Sequence, residues 1–173
     1  MSADIVAMEI TRLEAAHLAG LVTQFAELVD GAVTSDGDPA IRRLAPDAYD
    51  DPAAAREFRE LTESDLLDRR RDDAAAVLAS LADAAEIPDD PADPALLENV
   101  LIRLDAAAVG SWLRTLAAIR LVLASRLGVE KADDHDAGDP RFGIYDWLGY
   151  RLDGLVRAID GPAPRGGQGT ANV

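Results

Sequence analysis

Apolar and polar positions alternate over Val6, Met8 and Ile10, with Ala7 and Glu9 between them, a period-two pattern that predicts a short strand. Thr11 and Glu14 then stand at the T-x-x-E spacing of a capping box, so a helix should begin there. Leu18, Leu21, Val22, Phe25, Leu28 and Val29 recur at three- and four-residue intervals, and Gly31 stands at a C-cap position, which predicts a helix over 12–30. From Thr34 to Asp51 the chain is rich in Asp, Gly and Pro and reads as an irregular connection holding a helical turn at Pro39 to Leu44.

Asp51 before Pro52 pairs an N-cap with a proline at the first helical position, predicting a short helix over 52–61. Thr62 and Asp65 offer a second cap for a helix over 63–85, with Leu67, Ala74, Val77, Leu78 and Leu81 as its apolar stripe. Two Asp-Pro steps in Asp89 to Pro94 predict a loop. Val100, Ile102 and Leu104 alternate again, so the two strand-like pieces could pair as a ribbon. Asp105 can cap a helix over 106–127 that Gly128 ends. Val109, Trp112, Leu113, Leu116, Ile119, Leu123 and Leu127 share one arc of that helix while Leu121 and Val122 lie outside it, the mark of a central helix. Lys131 to Pro140 is polar, and 144–159 reads as a last amphipathic helix with Trp147, Leu148, Leu152, Leu155 and Ile159 inward. Residues 161–173 carry no core-forming pattern and are expected to form a disordered tail. The predicted fold is therefore mainly α: one helical bundle over 1–160 around a central apolar helix, with a minor two-stranded ribbon.

Composition supports helices, since the 49% apolar content of these 173 residues leans on Ala and Leu. With no cysteine the chain has no disulfide framework and no thiol switch, and a cytoplasmic location is expected. Residues Met1 to Asp4 are not a basic leader, and no uninterrupted apolar run approaches the ~18 residues of a membrane span. A net charge of -15 repels a phosphate backbone, so unaided nucleic-acid binding is not expected.

Candidate chemistry is sparse. Glu14 and His17 make one Glu-x-x-His on a helix face, but a carboxylate-bridged metal pair needs two such motifs, and His135 has Ala132 three residues before it. The favoured reading is a capping glutamate and a surface histidine. Asp133, Asp134, His135, Asp136 and Asp139 resemble a hard-cation loop, yet lack its D-x-D-x-D-G register and closing Glu, which favours a solvated acidic loop. No nucleophile-elbow or phosphate-loop motif is present, so no catalytic residue and no cofactor is expected. Arg70 and Arg120 each fall inside an otherwise apolar arc. Each should find a carboxylate or carbonyls, or extend its head to water along its stem, and the readings are structural ion pairing, which is favoured, or a pocket for a partner's acidic group or an anion. For Arg120 the expected partner is a carboxylate from another segment, with Asp146 and Glu57 as candidates.

Four words in order, DPAIRRLAPDAY (38–49), EFRELTESDL (57–66), WLRTLAAIRLVLASRLGV (112–129) and YDWLGY (145–150), resemble an actinobacterial family first catalogued as a domain of unknown function. Its members are labelled AosR-like oxidative-stress transcriptional regulators, and their genes commonly lie beside that of the ClpS protease adaptor. The resemblance covers most of residues 6–160. Ala117 and Ala118 stand where the family pattern has polar residues, and Arg151 and Leu152 where it often has Leu-Gln. The resemblance implies a non-enzymatic regulator acting through protein contact with transcription machinery, with self-association left open. Its gene neighbourhood implies an alternative, an accessory of the ClpS-linked proteolytic system with Clp components as partners.

Overall fold

The computed structural model describes residues 5–32, 37–45, 50–131 and 135–161. Strand β1 (Val6–Thr11) leads directly into helix α1 (Arg12–Gly31), and the capping box forms in both directions: Thr11 Oγ1 accepts from the Glu14 amide, and the Glu14 carboxylate accepts from the Thr11 amide. Gly31 closes the helix from inside it, with Ala32 at the C-cap. The expected turn at Pro39 to Leu44 is a short helix, α2, capped by Asp38.

The expectation of two helices over 52–61 and 63–85 is corrected: α3 is one 30-residue helix, Pro52–Leu81. Thr62 is not a cap, because its hydroxyl donates to the Phe58 carbonyl one turn back and is satisfied inside a continuous helix. Neither Gly nor Pro interrupts the segment after Pro52, so nothing in it breaks the ladder. The helix also ends at Leu81, and residues 82–85 form a turn.

A 3-10 turn at Pro94–Leu97 precedes β2 (Asn99–Leu104), which pairs antiparallel with β1 in the register Met8↔Ile102 and Glu9↔Leu101. This is the ribbon the two alternating patterns implied, with Met8, Ile10, Ile102 and Leu104 on its buried face. Helix α4 (Ala106–Leu127) is capped by Asp105 and ends on Gly128, whose φ of 74° is the left-handed conformation that glycine adopts without strain. A 3-10 turn at Pro140–Phe142 runs into α5 (Gly143–Asp160).

Helix α4 sits at the centre, packed against α2, α3 and α5. Trp112 is fully buried, and its indole Nε1 donates to Ser80 of α3 at 2.8 Å, so the largest core ring also satisfies its one polar group. Leu18, Val22, Val77, Leu81, Leu104, Leu116 and Leu148 fill the space around it. By length and composition alone α4 could cross a membrane, with a mean hydropathy of 1.4 over its most apolar window. Its packing inside the bundle uses the same apolar residues.

One further correction concerns α5: Trp147 packs against the core as a partly buried residue, but Ile159, expected inward, is 52% exposed, because the helix runs past the body of the bundle and everything after Leu155 faces outward. Residues 162–173, which hold nearly all of the expected disordered tail, lie outside the described residues, as do Met1 to Asp4 and Asp133 and Asp134 of the acidic loop.

Candidate functional site

Glu14, placed in the first turn of α1 by the capping box, is also the joint between α1 and α5. Its Oε1 accepts from the Trp147 indole at 3.1 Å and its Oε2 from Arg151 Nη2 at 3.0 Å. Arg151 reaches on to the Glu9 carbonyl of β1 at 2.8 Å, and its guanidinium lies 5.3 Å from the Trp147 ring centroid. Burial pushes the Glu14 pKa up, but the Thr11 amide, the Trp147 indole, Arg151 and the Thr11 hydroxyl together outweigh it and hold the carboxyl below its ordinary 4.5. It is therefore a fixed carboxylate near neutral pH.

Beyond this joint the facing sides of α1 and α5 leave an open groove of about 660 Å³. Ala16, Leu21, Ile144 and Trp147 supply its apolar wall, and Glu14, His17 and Gln24 its polar groups. Ile144 is 51% exposed there. The Glu-x-x-His pair lines this groove, and among the described residues no cluster of three or more His, Asp or Glu could hold a metal ion.

Among the described residues Arg120 does not meet the carboxylate expected of it. Its guanidinium stacks 4.1 Å from the Tyr145 ring centroid, and its Nε donates to the Tyr145 carbonyl at 3.3 Å. Asp146 is engaged elsewhere, 2.7 Å from His135 Nε2, and Glu57 is exposed on α3. The half-buried guanidinium keeps part of its hydration, so an aromatic face and one carbonyl suffice. His135 departs from the solvated-loop reading too: its side chain is 8% exposed, with ring centroids of Phe142 and Tyr145 at 4.6 and 5.4 Å.

Arg70 lies at the α3–α4 seam. Its Nη1 donates a long hydrogen bond, 3.4 Å, to the Arg114 carbonyl. The adjacent Asp73 is committed to Arg114, which binds it through Nε and Nη2, both at 2.7 Å, and to the Ser111 hydroxyl at 2.9 Å. Arg70 and Arg120 are thus on separate faces of α4's surroundings and do not form one site. The α1–α5 groove was not visible in the sequence, although the Thr11–Glu14 spacing and Trp147 were its two legible corners.

The fold and these sites define a mainly α-helical domain with a two-stranded ribbon, carrying a groove between α1 and α5 and an arginine-containing seam between α3 and α4. The chain belongs to a family described as a domain of unknown function, DUF2017, whose model matches residues 1–159. No curated protein and no solved structure matches it.

Proposed function

We propose that this protein is a non-enzymatic regulator that acts through protein contact, and that the α1–α5 groove is the contact surface. The observation that carries this reading is the groove itself: an open apolar wall of Ala16, Leu21, Ile144 and Trp147, backed by a carboxylate whose hydrogen bonds are spent on structure. A half-buried, fully engaged Glu14 is poorly suited to proton transfer, whereas a concave apolar surface with a partly buried indole on its wall suits an anchor side chain from a partner. The occupant is an amphipathic segment of another protein with a large apolar anchor and basic flanks, the flanks matching the net charge of -15.

The sequence words shared with AosR-like oxidative-stress regulators support transcription machinery as the source of that segment. Because the chain is so acidic, the partner supplies the promoter contact. Oxidant sensing through cysteine is not available to a chain without cysteine. Affinity capture with the full chain, alongside an Ile144→Glu variant and a Leu97→Glu control at an exposed position outside the groove, tests the reading. Polymerase or a sigma factor, retained by the parent and the control and lost with Ile144→Glu, is the expected result. Clp components lost in the same pattern would move the assignment to the proteolytic system, and no groove-dependent protein would overturn contact through the groove.

A further inference from the structure

The seam between α3 and α4 opens into a cleft of about 480 Å³ lined by Leu66, Arg69, Arg70, Asp72, Asp73 and Arg114. Three guanidiniums face two carboxylates there, a local charge of +1 in a chain whose net charge is -15. The charges are unevenly spent. Asp73 is engaged by Arg114 and Ser111, and among the described residues Arg70 forms no ion pair. Among the described residues the Arg70 Nε is buried and has no acceptor, so the hydrogen-bonding capacity of this cleft-lining guanidinium is not filled by the fold.

We propose that this cleft binds one carboxylate, presented by an acidic side chain of a protein partner, with Arg70 as its principal donor and Leu66 as the apolar wall for the neighbouring residue. The inference rests on the reading that the chain acts through protein contact, but it uses a different surface. A guanidinium fork fits a planar carboxylate in two parallel hydrogen bonds. A single negative charge neutralises the local excess, whereas a phosphate dianion would leave a net negative charge beside Asp72 and Asp73. Burial lowers the Arg70 pKa, Asp73 partly restores it, and Arg114 lowers it further, so the guanidinium gains from an incoming counter-charge.

The arginine Nε–H resonances of the full, isotope-labelled chain provide the test, with the Arg70 signal assigned by its loss in Arg70→Lys. The probe is acetyl-Leu-Glu-Leu-amide, compared at constant chloride with acetyl-Leu-Gln-Leu-amide and with inorganic phosphate. The expected result is a saturable shift of the Arg70 signal with the glutamate peptide alone, with a dissociation constant of about 1 mM or tighter. Arg70→Lys keeps the charge but not the fork and should weaken binding about tenfold, read from the backbone amides around Leu66 and Arg114. No saturable shift, an equal shift with the glutamine peptide, or preference for phosphate would each overturn the proposal. None of these outcomes bears on the groove, because the probe needs no partner and the groove is tested separately through Ile144→Glu.

Discussion

A Cβ at residue 149 would lie 3.1 Å from the Arg120 guanidinium carbon, so Gly149 is the space into which that guanidinium fits. The guanidinium stacked on Tyr145 thus packs closely against a glycine one turn further along α5. For Gly149→Ala two effects oppose each other: a helix-interior alanine gains about 1 kcal/mol over glycine, and the flexible end of Arg120 must give by a few tenths of an ångström. The expected change in unfolding free energy is within about 1 kcal/mol of zero. Gly149→Leu cannot be absorbed that way and should cost about 1–3 kcal/mol by overpacking. Urea titrations of both variants check the pair, and a strongly destabilised alanine variant would contradict this geometry.

Replacing Arg120 itself leaves no unpaired buried carboxylate behind, because no such partner is present among the described residues. Arg120→Met, which keeps an apolar stem against Tyr145, is expected to lose about 1–2 kcal/mol rather than the 3–5 that breaking a buried ion pair costs. Thermal unfolding of Arg120→Met and Arg120→Ala against the parent measures it.

The seam network gives a graded prediction. Asp73, whose side chain is 13% exposed, serves Ser111 and two nitrogens of Arg114, so Asp73→Ala should cost about 1–3 kcal/mol. Arg114 is 58% exposed at its side chain, and its removal should cost less than about 1 kcal/mol. A double-mutant cycle separates the pair energy from the Ser111 bond, and equal costs for the two single variants would refute the ranking.

Glu14 makes stability depend on pH. Its folded pKa lies below its ordinary 4.5, so its contribution is fully present above that value and is lost as pH falls through the folded pKa. Glu14→Gln should remove this part of the acid dependence. Chemical denaturation of parent and variant at stepped pH, from neutral into acid, should give curves that converge at low pH and separate above 4.5. A constant separation at every pH would mean that Glu14 contributes through packing alone.

The two tryptophans should differ in emission. Trp112 is fully enclosed and Trp147 lines an open groove, so Trp112→Phe should leave a redder spectrum than Trp147→Phe. Identical maxima would contradict the placement of Trp147.

Much of the fold was legible because its signals are local. Thr11, Asp51 and Asp105 mark helix starts through caps that need only three residues of chain, and all three caps form. The ribbon was legible from alternation in β1 and β2, since each strand buries one face. Thr62 misled because a hydroxyl that can cap a helix can equally bond back one turn inside it. What remained hidden is relational. A helical wheel places Trp147 and Ile144 on arcs of α5, but only the spacing from α1 leaves a groove beside them. Likewise Arg120 could be placed near YDWLGY, while its choice of the Tyr145 ring over a carboxylate follows from the room at Gly149 and from Asp146 turning to His135.

The central claim is contact through the α1–α5 groove, and photo-crosslinking in the native host tests it most directly. A photoreactive phenylalanine derivative replaces Ile144 in one strain and the exposed Leu97, outside the groove, in another. The account predicts one dominant protein adduct from position 144, absent from position 97, whose crosslinked segment is amphipathic with basic flanks. Adducts at 97 but not at 144, or the same adducts from both positions, would contradict it.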